Sequence, residues 1–144
     1  MRKTKIFLVA LAFACGALFT STACSEVVVI VSANSSVTTL DVAQVSDIFL
    51  GKNANFPNGA IAIPIDQADG SEIRQDFYNK VTGKSPQLLK AYWSKLIFTG
   101  QGEPPREVTN SEAIKKLVAK NPNFIGYIEK SAVDSSVKAA LIVR

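Results

Sequence analysis

Histidine is absent from this chain of 144 residues, and cysteine occurs only twice, at Cys15 and Cys24. Without imidazole, Ser-His-Asp and Cys-His catalysis are excluded and the commonest zinc ligand is missing. Both cysteines fall within the first 24 residues, so the remainder has neither a disulfide nor a thiolate metal site. Internal repeats, low-complexity segments and long proline- or serine-rich linkers are also lacking. So is a strong charge of either sign. The chain as a whole carries +4, but Arg2, Lys3 and Lys5 belong to its basic head. Setting those three aside leaves thirteen basic residues against twelve acidic ones. That near-balance gives no footprint for a nucleic-acid partner.

What is present begins with an export pattern. Met1-Arg2-Lys3-Thr4-Lys5 is a basic head without an acid, Ile6 to Phe19 is an unbroken apolar or small run, and Thr20 to Ser25 is small and mildly polar. This is the order of a secretory signal peptide, and the apolar run is shorter than the ~18–20 residues a permanent spanning helix needs. The pattern predicts a signal peptide over residues 1–25 and a single domain over residues 26–144. Cleavage before Glu26 gives a soluble periplasmic product, and cleavage before Cys24 a lipid-anchored one. The soluble product is preferred because the leucine usual three places before a lipidated cysteine is missing.

The domain reads as alternating strands and helices. Val27-Val28-Val29-Ile30-Val31 is a continuous β-branched run, as expected for a strand covered on both faces in a parallel sheet. Asp41 and Gln44 have capping-box spacing before a short helix, which Val42, Val45, Ile48 and Phe49 line and Gly51 ends. Ile61 to Ile65 is a second buried strand. Asp66 to Ser71 loops into a helix with Ile73, Phe77 and Val81 inward and Gly83 as its stop. Ser85-Pro86 opens a helix expected to carry Leu88, Leu89, Tyr92, Trp93, Leu96 and Ile97 inward. Asn110 or Ser111 caps another, with Ile114, Leu117 and Val118 buried and Lys115, Lys116 and Lys120 on a solvated face. Ile125 to Ile128 and Val137 to Val143 are the last strands. The predicted class is α/β, a small mixed or parallel sheet with helices on both faces.

Three segments resemble the phosphate-binding proteins of ABC importers. Val45-Ser46-Asp47-Ile48-Phe49-Leu50-Gly51-Lys52 is similar to that family's short helix and glycine turn. Ala68-Asp69-Gly70-Ser71 resembles its phosphate-gripping loop, and Phe124-Ile125-Gly126-Tyr127-Ile128-Glu129 its late strand. They occur in the family's order. The resemblance implies one lobe of a type II periplasmic binding protein, and the chain is about half the family's length. The family's early Thr-Gly-Ala-Gly-Ser segment does not occur in this sequence. Within the gripping loop, Glu72 stands where the family has glycine, Gln67 where it has arginine, and Ile73 where it has threonine, so the side-chain phosphate contact carries over only at Ser71.

The residues themselves support an anion site at the start of that helix. The first amides of a helix have no intrahelical acceptors and form the positive end of its dipole. Gly70 admits close backbone approach, the Ser71 hydroxyl can donate, Glu72 offers its N–H, and Arg74 has a planar fork suited to oxyanions. The candidate phosphate site is therefore Gly70, Ser71, Glu72 and Arg74. The plain alternative is that Ser71 only caps the helix and Arg74 is solvated. A Glu72 carboxylate facing the ligand would repel it. One open wall holds phosphate weakly, so tight binding requires a second, from Ser32 to Ser36, from the Gly100–Gly102 loop or from another chain.

Two functions follow from this reading. One is a periplasmic binder of inorganic phosphate or a similar oxyanion, linked to phosphate ABC transport or sensing, with an ABC permease as partner. The other is a non-catalytic envelope interaction module that has lost its ligand. A homodimer fits either. No enzyme, cofactor or metal site is read: no acidic pair has a recognisable catalytic partner set, and Asp66, Asp69 and Glu72 lack calcium-loop spacing.

Overall fold

The computed structural model describes residues 25–144. Apart from Ser25, the export signal and its cleavage alternatives lie outside the described residues. The strands are β1 (Val27–Ser32), β2 (Ile63–Gln67), β3 (Arg106–Val108), β4 (Phe124–Glu129) and β5 (Val137–Val143). The helices are α1 (Val42–Phe49), α2 (Glu72–Thr82), α3 (Pro86–Phe98) and α4 (Ser111–Lys120), with a short 3-10 turn at Lys130–Ala132. The strands form one mixed sheet in the order β3-β2-β4-β1-β5.

Residues alternate across the sheet because successive side chains in a strand point to opposite faces. Val27, Val29 and Val31 join Ile125, Tyr127, Ala140 and Val143 on one face, under α1, α2 and α3. Val28, Ile30, Ile65 and Ile128 face the other way, against Ile114 and Val118 of α4. The first face holds an aromatic cluster in which Phe77 stacks on Tyr127 at 3.8 Å and Phe49 meets both edge-on. Gly126 of β4 lets α4 lie close: a Cβ there would stand 2.4 Å from Ile114 Cγ2.

The β-branched run of β1 is buried on both faces as expected, but the strand is antiparallel to β4 and to β5 rather than part of a parallel sheet. A continuous apolar run reports two covered faces and carries no strand direction. β2 is parallel to β3 and β4. It begins two residues later than predicted and runs on through Asp66 and Gln67, because those polar residues find partners inside the fold. The pairing of β1 with β5 slips between Val29 and Ile30, leaving Ala140 as the extra residue of a bulge.

The capping box at Asp41 and Gln44 is formed. Ser85 caps α3 with Pro86 at its start, Asn110 rather than Ser111 caps α4, and Gly83 closes α2 in the left-handed conformation. Five apolar residues predicted to be buried, Val42, Ile61, Ile63, Leu88 and Ile97, are exposed instead, so β2 is buried only from Ile65 onward. α3 is a peripheral helix of which only Leu89 and Trp93 are buried, so its inner face is narrower than its apolar content suggests. Lys115, read as solvated, is largely covered and pairs with Glu112 and Asp134.

Candidate functional site

The passage from β2 into α2 is a tight turn, with the Ser71 amide donating to the Ala68 carbonyl at 3.2 Å. Gly70 sits at φ 82°, and a Cβ there would meet nothing within 4 Å. The glycine is therefore needed for its backbone angle rather than for space. Ser71 is the N-cap, its hydroxyl oxygen accepting from the Arg74 amide at 3.4 Å. That bond leaves the hydroxyl proton free to donate outward. The amides of Glu72 and Ile73, the first two of the helix, have no acceptor among the described residues, as the geometry of a helix start requires.

These donors open on a cleft of about 910 Å³ whose walls are the starts of two helices, α2 and α4. Ser71, Glu72, Ile73 and Asp76 form one side, and Asn110, Ser111 and Glu112 the other. Gln67, buried at the floor, joins them: its side-chain amide donates to Ser111 Oγ at 2.9 Å and to the Tyr127 carbonyl at 3.2 Å. The second wall thus comes from α4, and not from Ser32 to Ser36 or the Gly100–Gly102 loop. Four carboxylates line the cleft, those of Glu72, Asp76, Glu112 and Glu129, and no lysine or arginine does. Asp76 is paired with Lys80, and Glu112 with Lys115.

The four candidate residues divide between two clefts. Ser71 and Glu72 line the one just described, whereas Gly70 and Arg74 line a separate one of about 510 Å³ between α2, α3 and the segment before β3. The Arg74 guanidinium is engaged by three carboxylates: Glu107 at 2.8 Å, Asp69 at 3.3 Å and Asp66 at 3.5 Å. Burial alone would lower its pKa, but Asp66 and Glu107 outweigh that and raise it. Arg74 is a cross-brace that ties β2, the Asp69 turn and β3 together.

Asp66 is the centre of that brace and was read from sequence only as part of a loop. It is buried, accepting from the hydroxyls of Tyr127 and Tyr78 and from the Gln67 amide. Burial raises its pKa, against the opposing effects of the Tyr127 hydroxyl, Arg74 and the Tyr78 hydroxyl. Glu107 and Asn110 were missed as site neighbours too, and Gln67 was read only as the residue standing where the family has arginine. β3 is three residues with little burial, too short for periodicity to reveal. The polar pair ending β2 could have been suspected only from its position beside an apolar run.

No family model matches the chain, and no curated protein matches it in sequence. Solved structures do. The fold matches a lobe of PstS-like periplasmic binding proteins. A Clostridium perfringens protein assigned to the phosphate ABC transporter substrate-binding proteins, solved with bound phosphate, is 30% identical with a TM-score of 0.65; the match covers 80% of this chain and 44% of that one. An ABC-type phosphate transport receptor from Vibrio cholerae is 22% identical with a TM-score of 0.62, over 79% of this chain and 44% of the other. PstS from Borrelia burgdorferi is 15% identical with a TM-score of 0.56, over 82% and 46%. The chain therefore spans less than half the length of the proteins it matches. The last two likenesses show the fold alone. The PstS-like neighbours are binding proteins rather than enzymes.

Proposed function

We propose that the chain from residue 26 to 144 is an exported binding module for inorganic phosphate or a similar oxyanion, working in the periplasm beside a phosphate ABC permease. The observation that carries this reading is the pair of unoccupied amides at Glu72 and Ile73, beside the Ser71 hydroxyl and the Gly70 turn, in a fold shared with a phosphate-bound protein at 30% identity. In this reading Ser71 and the two amides touch the ion, Gly70 sets the turn, and Arg74 holds the turn in place through Asp69 and Glu107.

Magnitudes keep the affinity low. Three charge-assisted hydrogen bonds at ~1.5–3 kcal/mol each must offset at least ~4 kcal/mol of association cost. The surrounding carboxylates subtract further. At most about 5 kcal/mol remains before that subtraction, which corresponds to a dissociation constant that is millimolar or weaker.

Calorimetric titration of phosphate and sulfate into the chain from Ser25 onward tests the reading. Heat saturating in the millimolar range, weakened by Ser71→Ala and strengthened by Glu72→Gln, is the expected result. No binding of either anion at tens of millimolar would overturn it. That outcome would favour the second reading, a non-catalytic envelope interaction module, which the four carboxylates of the cleft support.

A further inference from the structure

α3 presents an unusual outer surface. Phe98 is 93% exposed, and Leu88 and Ile97 are more than half exposed. Lys90 and Lys95 are both exposed, Lys90 with Ile97 at the rim of the cleft between α2 and α3 and Lys95 outside it, and neither makes an ion pair among the described residues. Lys84, just before the helix, lies over the Tyr92 ring at 5.1 Å. The surrounding sequence is one-signed: no acid occurs between Asp76 and Glu103, a stretch that holds Lys80, Lys84, Lys90 and Lys95. Beyond the basic head at Arg2, Lys3 and Lys5 the chain is close to neutral, so this segregation is local. Its counterpart is the acid-lined cleft at the starts of α2 and α4, to which α3 contributes no residue.

We propose that α3 is a lipid-surface contact, seating the protein on a membrane that carries anionic headgroups. Several features favour this occupant. An apolar protein groove is best met by a continuous stripe, whereas here large apolar side chains alternate around the helix with unpaired lysines. That mixture suits the headgroup layer, where lysine stems lie along apolar surface while their ammonium groups reach phosphate oxygens. Unpaired lysines near an anionic surface each add attraction. Phe98 lies at the helix terminus, where its ring can enter the acyl boundary without the helix unwinding. No described helix is long and apolar enough to span a bilayer, and none is needed for this mode. The segregation of charge also orients the molecule, with the basic helix drawn to the membrane and the four carboxylates of the cleft repelled from it.

The proposal does not depend on phosphate binding, since none of Leu88, Lys90, Lys95 and Phe98 lines the cleft beside Ser71. Its test uses the chain from Ser25 onward, which contains all the described elements and both core clusters, with vesicles of phosphatidylcholine alone or mixed with phosphatidylglycerol. Co-sedimentation is expected only with the mixed vesicles and is expected to fall as salt rises. The double substitution Lys90→Glu with Lys95→Glu should lower the partition coefficient by about tenfold or more. In a Phe98→Trp variant, the new indole should shift to shorter emission wavelength on mixed vesicles. Trp93, already buried, contributes a constant background. Equal partition of wild type and the double variant, or no emission shift at position 98, would overturn the proposal. So would concentration-dependent dimerisation that hides Phe98 without any vesicle binding, which would assign this face to a second copy of the chain.

Discussion

Replacing Arg74 by methionine removes one cation from among three carboxylates. Two of these, Asp69 and Glu107, reach water, but Asp66 is buried and would be left with hydroxyl and amide donors alone. Breaking such a pair costs about 3–5 kcal/mol, so Arg74→Met is expected to shift the urea midpoint markedly at neutral pH. The loss should shrink in acid, where Asp66 takes up a proton and no longer needs its partner. A loss independent of pH would contradict this account. The wild-type protein has its own pH signature at the same residue. Because burial raises the folded pKa of Asp66 above its unfolded value, protonation favours the native state. That contribution is complete below the unfolded value and is lost as pH rises through the raised one. Asp66→Asn should flatten this part of the stability profile. Asp134 runs the opposite way. Hydrogen bonds from Ser136 and the Lys115 ammonium hold its pKa down at about 2, so its contribution is present above the ordinary carboxylate range and lost as pH falls through about 2. An NMR titration of the Asp134 carboxyl should find its midpoint there, and a midpoint near the usual value for aspartate would show that these contacts do not persist in solution.

Among the elements, the contact of α4 with the sheet is set by one residue without a side chain. A methyl group at Gly126 would overlap Ile114, with Val118 Cγ2 only 3.4 Å away on the same helix. Gly126→Ala should therefore cost about 1–3 kcal/mol by overpacking, seen as a lower thermal midpoint. Pairing it with Ile114→Val should recover part of the loss, since both changes act on one contact. α1 depends on its cap: Asp41 accepts from the Gln44 amide at 2.8 Å while the Gln44 side chain accepts from the Asp41 amide. Loss of the cap in Asp41→Ala should cost ~0.5–2 kcal/mol. Both of these elements were visible in the sequence, one as a periodic run with a cap and the other as a spacing of two polar residues. The conformation of α3 was visible too, through Ser85-Pro86. Its inner face was misjudged because Leu88 and Ile97 have the composition of core residues while lying on the edges of a helix that touches the fold along a narrow line.

For the molecule as a whole, the central strands couple the two sides. β1 and β4 each contribute residues to both core clusters, so neither cluster can dissolve without unpairing strands that serve the other. Unfolding in urea should therefore be a single transition, with Trp93 emission and far-ultraviolet circular dichroism superimposable. Separate midpoints would mean that the α4 side and the aromatic side are independent. Phosphate binding, if it follows the proposed mode, should raise that midpoint only at concentrations above millimolar, because stabilisation by a ligand grows with its concentration relative to Kd.

The sequence alone determined what local interactions control: where helices start and stop, the burial of β1 on both faces, and the Gly70-Ser71 turn that leaves amide donors at a helix start. Caps, turns and apolar runs act over a few residues, so they are legible without a fold. Tertiary structure decided everything that depends on which segments meet. It made β1 antiparallel to both its neighbours and set the start of α4 opposite the start of α2. It also drew Arg74 away from the candidate anion and onto Asp66, Asp69 and Glu107. A guanidinium beside a helix start is read as a ligand fork until carboxylates from other strands arrive next to it, and their arrival is a matter of long-range packing that no local pattern records.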